Sequence, residues 1–241
     1  MRAENGHITP LPAGSDNYMY LVRGTQGHAV AVDPGEAKPI QALCTLLGLR
    51  LTHLLLTHHH GDHTGGVAHL VKAYNCEVIG LSKHACAAIT RVCTDNAPLD
   101  CAGLSLQVLA TPGHTTDSCC YYCEEGGNLF TGDTLFLGGC GRLRGGTGEQ
   151  LYSSLQRLAA LPGETSIWCG HEYTLDNLAF ARAAFPQNRE IEARGERELV
   201  QYNESEITVP GTIAEEKATN PFLLADSVES FLRLRKEKDR F

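Results

Sequence analysis

The chain lacks a surplus of positive charge: 20 Lys and Arg stand against 28 Asp and Glu, a formal net charge of −8. That balance argues against a general nucleic-acid coat or an anionic-membrane binder. No apolar stretch approaches the roughly 20 residues that a membrane-spanning helix needs, and Met1–His7 has no apolar core of a secretory signal. A cytoplasmic protein without nucleic-acid or membrane partners is expected. There is no G-x-S-x-G turn, and hence no serine nucleophile elbow. A four-thiolate zinc site is absent too. Of ten cysteines only Cys120 and Cys123 have C-x-x-C spacing, and no second pair completes the set. Ten in 241 residues is far below the density of a disulfide scaffold. The cysteines therefore read as small buried hydrophobes in a reducing compartment. What remains unexplained is 11 histidines.

Length predicts one large domain, or one core with an appendage. Up to about residue 170, short apolar runs are broken by Gly, Pro, Asp and Asn. Tyr18–Val22, Ala29–Val32, His53–Leu56, Glu77–Ile79, Leu104–Leu109, Ser118–Tyr122 and Asn128–Phe130 have strand-like content. Helical patterns lie between some of them, at Pro39–Leu47, Val67–Tyr74, Lys83–Ile89 and Glu149–Leu158. Such alternation predicts α/β layering. After Gly170 the texture turns helical: Leu175–Phe185, Glu190–Asn203, and a last helix capped by Asp226 and running to about Lys238. Two domains are expected, a mixed catalytic domain over 1–170 and a helical substrate-binding domain over 171–241.

The strongest chemical feature is Leu54-Leu55-Leu56-Thr57-His58-His59-His60-Gly61-Asp62-His63-Thr64-Gly65-Gly66. An apolar strand ends in three His, an Asp and a fourth His. His58 and His60, two apart, point the same way in extended backbone. Asp62 and His63 sit on the turn into the next helix and can aim at a second point. One cation does not need all four groups, so the spacing suggests two adjacent metals. Three further strand ends present ligand-type side chains: His114 in Thr111–Thr115, Asp133 in Phe130–Thr134 and His171 in Ile167–Glu172. Taken singly each is an ordinary turn residue. Taken together they are improbable by chance.

Thr57-His58-x-His60-x-Asp62-His63, followed in order by His114, Asp133 and His171, resembles the metallo-β-lactamase superfamily. Within it the chain is similar to glyoxalase II, the hydroxyacylglutathione hydrolases. The matching stretches are Asp16-Asn17-Tyr18, Val32–Gly35, Gly132–Phe136, Gly139–Arg142, Leu161-Pro162, Cys169–Thr174, Asn220–Phe222 and Lys236–Phe241. The resemblance implies an αββα sandwich with a small all-α C-terminal domain. It implies two divalent ions, zinc by preference with iron or manganese able to substitute. His58, His60 and His114 would hold the first ion, Asp62, His63 and His171 the second, and Asp133 would bridge them. His59 is left over for packing or support.

The implied activity is hydrolysis of S-D-lactoylglutathione to glutathione and D-lactate by a metal-bridging hydroxide, a step of methylglyoxal detoxification. Asp62 and Asp133 would be its catalytic carboxylates and a monomer its form. By the same resemblance Arg142, Tyr173, Arg235 and Lys238 contact the thiol moiety. Arg235 and Lys238, three apart on one helix face, match a basic pair for the glycine carboxylate. Two departures stand out. Arg144 occupies a position where the family usually has an aromatic residue, which points to a differently charged thiol. Gly61 replaces a bulkier residue and should affect loop mobility rather than ligation. Competing readings are a one-iron persulfide dioxygenase, a lactonase-like hydrolase and a thioesterase for another thiol cofactor. The complete second donor set argues against the first, and the Cys169–Thr174 and Lys236–Asp239 segments against the second.

Overall fold

The computed structural model describes residues 6–83 and 86–241. Residues 1–5, on which most of the expected leaderless start falls, and His84 and Ala85 of the expected Lys83–Ile89 helix lie outside the described residues. The described remainder of that helix, Lys83 and 86–89, is turn and irregular backbone. The chain forms two compact units: one runs to Ala110 and takes in Asp117–Gly126, the other comprises Thr111–Thr116 and Gly127–Phe241. The expected 170/171 boundary therefore falls inside the second unit.

In the first unit, β1 (Ile8–Ala13), β2 (Asn17–Arg23), β3 (His28–Val32), β4 (Arg50–Leu55), β5 (Glu77–Gly80) and β6 (Arg91–Val92) form one sheet in that order. The first two pairings are antiparallel and the last three parallel. The parallel half needs crossovers, supplied by α1 (Ala37–Leu47) between β3 and β4 and, after the short α2 (Gly61–Thr64), by α3 (Val67–Tyr74) between β4 and β5. Strands covered on both faces read as continuous apolar runs, which is why Ala29–Val32 and Leu54–Leu56 were legible. One face packs Met19, Leu21, Ala31, Leu54 and Val78 against Ile40, Cys44 and Leu70. β1 was missed because it carries Pro10 and Pro12. An edge strand tolerates proline, since its outer N–H groups have no ladder partner.

β7 (Pro98–Cys101), β8 (Leu104–Ala110) and β9 (Cys119–Cys123) make an antiparallel set in the same unit. From β9, the buried Tyr121 hydroxyl donates to the carbonyl of Leu56, just past the end of β4, at 2.8 Å.

In the second unit, β10 (Asn128–Gly132) runs parallel to β13 (Ser166–Cys169), which pairs antiparallel with β14 (Gly211–Thr212). Between them β11 (Leu135–Phe136) and β12 (Gly139–Cys140) form a small hairpin, followed by α4 (Gly148–Ala159) with a Thr147/Gln150 capping box. The helical region comprises α5 (Thr174–Ala184), α6 (Arg189–Ser205), α7 (Ile213–Thr219) and α8 (Val228–Lys238). Ser227, not Asp226, caps α8: its side chain accepts from the Ser230 N–H, while Asp226 accepts from the Ser230 hydroxyl at 2.8 Å. No described helix is long and apolar enough to cross a membrane. All ten cysteines are free thiols and eight are buried, with burial pushing Cys101 and Cys169 up to about 12.

The helical region is held by a charge network that hydropathy gave no sign of. Arg194 of α6, 1 % exposed, faces Glu216 of α7 at 2.6 Å and Glu198 one turn on at 3.5 Å, and donates to Thr219 Oγ1 at 2.6 Å. A buried ion pair adds little over apolar packing, but removing one partner strands the other in a medium that cannot solvate it. Arg194→Ala should therefore lower stability by about 3–5 kcal/mol in urea unfolding. A loss below about 1 kcal/mol would mean that water reaches Glu216.

Candidate metal centre

Each ligand-type residue follows a strand. In the first unit β4 ends at Leu55, and Thr57 to His60 leave it in irregular backbone before α2. The buried carboxylate of Asp33, at the end of β3, organises this turn. Oδ1 accepts the Thr57 backbone N–H at 2.8 Å, and Oδ2 accepts the Thr57 hydroxyl at 2.6 Å and His63 Nδ1 at 3.0 Å. Because the Thr57 hydroxyl hydrogen is spent on Asp33, its oxygen accepts from His58 Nδ1, 3.0 Å away. Asp33 thus sets two tautomers, directly for His63 and through Thr57 for His58. Both rings carry the proton on Nδ1 and keep the Nε2 lone pair for a cation.

The remaining first-unit donors fall into two pairs. His58 Nε2 and His60 Nδ1 are 3.0 Å apart, and His63 Nε2 and Asp62 Oδ2 are 3.4 Å apart. Asn17 Nδ2 donates to the same Asp62 oxygen at 2.8 Å. Chiefly the contact with His63, then Asn17, holds the Asp62 carboxyl well below the usual carboxylate range, against the opposing effect of burial. Asp33 also lies within reach of His58 and His63 as a possible ligand group. Its oxygens are taken up by protons from Thr57 and His63, so it orients rather than coordinates. At Gly35 a side chain would collide with the Asp62 carbonyl, so the β3 turn lies against the α2 backbone. A Cβ at Gly61 would meet nothing within 4 Å. His59 turns away to Asp117 Oδ1 at 2.7 Å, its side chain 42 % exposed.

In the second unit Asp133, just past β10, has one imidazole at each oxygen. His114 Nε2 is 3.4 Å from Oδ2 and His171 Nε2 3.4 Å from Oδ1, all three residues being buried. His114 Nδ1 lies 2.7 Å from the Arg142 carbonyl, which can only accept, so Nε2 again keeps its lone pair. At Gly141 a side chain would collide with the Asp133 carbonyl and come 3.0 Å from His114 Nδ1. His171 stacks on Tyr173, ring centroids 4.8 Å apart at 6°, with Phe136 edge-on to both.

These donors fit divalent metal. Two ligands on one tetrahedral ion at about 2.0–2.1 Å stand about 3.3–3.4 Å apart, and three of the donor pairs above are at 3.4 Å. A set of imidazoles and carboxylates suits zinc, iron or manganese.

The residues expected to meet the thiol moiety lie in the second unit. Arg142 and Arg144 are exposed on the loop after β12, and the Arg144 N–H donates to the His114 carbonyl at 2.7 Å. Lys238 Nζ donates to the Asp176 carbonyl at 2.9 Å and lies near the rings of Phe180 and Phe241. Burial lowers its pKa, opposed by Asp176 and assisted by Arg235 and Arg142. Arg235 is 4 % exposed, over the Phe222 ring, with its donors on the Cys140 carbonyl and Asp239. The residue that sequence reasoning passed over is Asp33, visible only as part of Val32–Gly35. A polar residue closing an apolar strand was its one signal.

Known proteins bear on this arrangement. The metallo-beta-lactamase superfamily model matches residues 13–92 and 98–171, and the model of the hydroxyacylglutathione hydrolase C-terminus matches 172–241. A hydroxyacylglutathione hydrolase of Chromohalobacter salexigens is 45% identical over 97% of this chain and 99% of its own length. One of Aliivibrio salmonicida is 40% identical with the same coverages. Among solved structures, ETHE1 from Myxococcus xanthus superposes with a TM-score of 0.73 at 30% identity, over 95% of this chain and 90% of its own. TTHA1623 in a di-iron-bound form gives 0.66 at 30% identity, over 89% and 100%.

Orienting carboxylates behind a ligand imidazole typically tune metal affinity about 10–100-fold. Asp33→Ala should weaken binding of divalent metal by that factor in competition with a chromophoric chelator. Undiminished affinity would show that His58 and His63 are oriented without it.

Proposed function

The chain belongs to the hydroxyacylglutathione hydrolases of the metallo-β-lactamase superfamily, and from that membership we propose that it hydrolyses S-(2-hydroxyacyl)glutathione. S-D-lactoylglutathione would yield glutathione and D-lactate. The observation that carries this reading is the Asp133 carboxylate with one imidazole nitrogen 3.4 Å from each oxygen, the arrangement of a bridging ligand. On the family's pattern His58, His60 and His114 serve one ion, Asp62, His63 and His171 the other, and Asp133 both. Zinc is the favoured metal; TTHA1623, a structural relative, has been solved with two irons. The complete second set argues against a one-iron persulfide dioxygenase. Free, largely buried thiols support a cytoplasmic location, and we read the chain as a monomer.

When bound, the two ions would supply a hydroxide at neutral pH and Lewis acidity at the thioester carbonyl. The chain's own residues do the rest. Asp33 and the Arg142 carbonyl keep three ligand imidazoles in the Nε2 lone-pair tautomer. Arg142, Tyr173 and Lys238 hold the thiol moiety, whose carboxylates complement the cations. A thiolate leaves readily, so no protonated side chain is needed at the sulfur. Arg235 belongs to the same basic group; it is buried and shares Asp239 with Arg142.

Hydrolysis of S-D-lactoylglutathione, followed at the thioester absorbance with metal analysis on the same sample, tests the activity. Metal-replete protein without turnover would overturn it. Asp133→Ala should lose at least about 100-fold in kcat together with bound metal. A variant that retained two ions per chain would refute the bridging role. Lys238→Ala should raise KM for the thioester several-fold, with kcat within about twofold, as expected for binding energy shared by ground and transition states. An unchanged KM would leave Lys238 with only its helix-terminal role.

A further inference from the structure

Six consecutive residues between Asp133 and Arg142, namely 135–140, make the β11–β12 hairpin, whose short ladder leaves most of its backbone polar groups to other partners. Side chains from the C-terminal helical region fill that role. Asn177 of α5 donates to the Leu137 carbonyl at 3.1 Å, and Glu216 of α7 accepts the Gly138 N–H at 2.9 Å. Asn220, just past α7, places Nδ2 2.9 Å from the Gly139 carbonyl, 3.3 Å from that of Phe136 and 2.8 Å from Glu216 Oε2. Arg235 of α8 donates to the Cys140 carbonyl at 2.9 Å. All four side chains are buried. The line continues to the cation itself: Arg235 Nη2 is 3.0 Å from Asp239 Oδ1, and that oxygen is 3.7 Å from Arg142 Nε. Arg142 is tied down at the other end by its carbonyl on His114.

Burying four amide- and charge-bearing side chains is costly unless they find polar partners, and here each of the four spends at least one donor or acceptor on one short backbone segment. Core packing alone would be served by apolar residues of the same size. We propose that Asn177, Glu216, Asn220 and Arg235 are positioning residues, a clamp that presets the 136–142 segment so that Arg142 meets the thiol moiety already ordered. Binding then avoids the entropy of fixing a glycine-containing loop and a long side chain. The basic helix α8 acts on the substrate partly through the loop it holds, and Arg235 is its internal end. The role of Arg142 in this argument rests on the function proposed above.

Asn220→Ala in the metal-loaded full chain should raise KM for S-D-lactoylglutathione about 5–20-fold and leave kcat within about threefold. In an Arg142→Ala background the same change should raise KM less than about twofold, because the two residues share one effect. Amide hydrogen exchange over 136–142 should quicken at least about tenfold in Asn220→Ala. Where Asn220→Ala does not fold, Asn177→Ala and Glu216→Gln carry the same comparison. A KM rise that multiplies in full with that of Arg142→Ala, or unchanged exchange over 136–142, overturns the clamp. If the wild-type chain does not hydrolyse the thioester, the proposed function fails, and the exchange measurement still decides the clamp.

Discussion

The buried carboxylate of Asp33 is the constraint on which the donor set of the first unit depends. It accepts three hydrogen bonds, and two of the three come from Thr57. That fixes the turn at which β4 gives way to the histidine run. The same bonds decide which nitrogen of His58 and His63 carries hydrogen. A coordinating imidazole in the wrong tautomer presents a proton where a lone pair is needed. One anion, 3 % exposed, thus converts a polar turn into a set of aimed donors. Its own burial is tolerable because every oxygen is hydrogen-bonded.

The second unit solves the same problem by other means. Asp133 and His114 are held close to the chain that follows them, with Gly141 admitting the Asp133 carbonyl where no side chain would fit. The segment beyond is supported from the helical region, through polar side chains as well as apolar ones. Arg194, Glu216 and Asn220 form one connected network, so the stability of α6 and α7 and the shape of the loop that carries Arg142 have a common origin. Buried polar networks of this kind specify a geometry more than they add stability.

Much of this was legible beforehand. The strands carrying the donors are apolar runs with abrupt polar ends, and periodicity marks them clearly. The elements that escaped are those whose local signal conflicts with their context. β1 hides behind two prolines that an edge position permits, and Lys83–Ile89 has helical spacing that its described residues do not adopt. Ser227 took the capping role from Asp226 because the next serine-to-serine bond closes a capping box one residue later. Arg235 and Lys238 read as equivalent members of a basic pair on one helix face, and a one-dimensional pattern cannot tell which cation faces the interior.

The sequence by itself determined which ligand-type residues the chain carries, their spacing and their order along the chain. Those properties reside in covalent order, where a ligand two residues from another stays so in any fold. Only the tertiary structure decided which nitrogen of each imidazole carries its proton, that Asp33 orients while Asp133 receives two imidazoles, and that Arg235 is buried. Each of these depends on partners 19 to 95 residues away, and directional contacts over such separations exist only once the chain is packed.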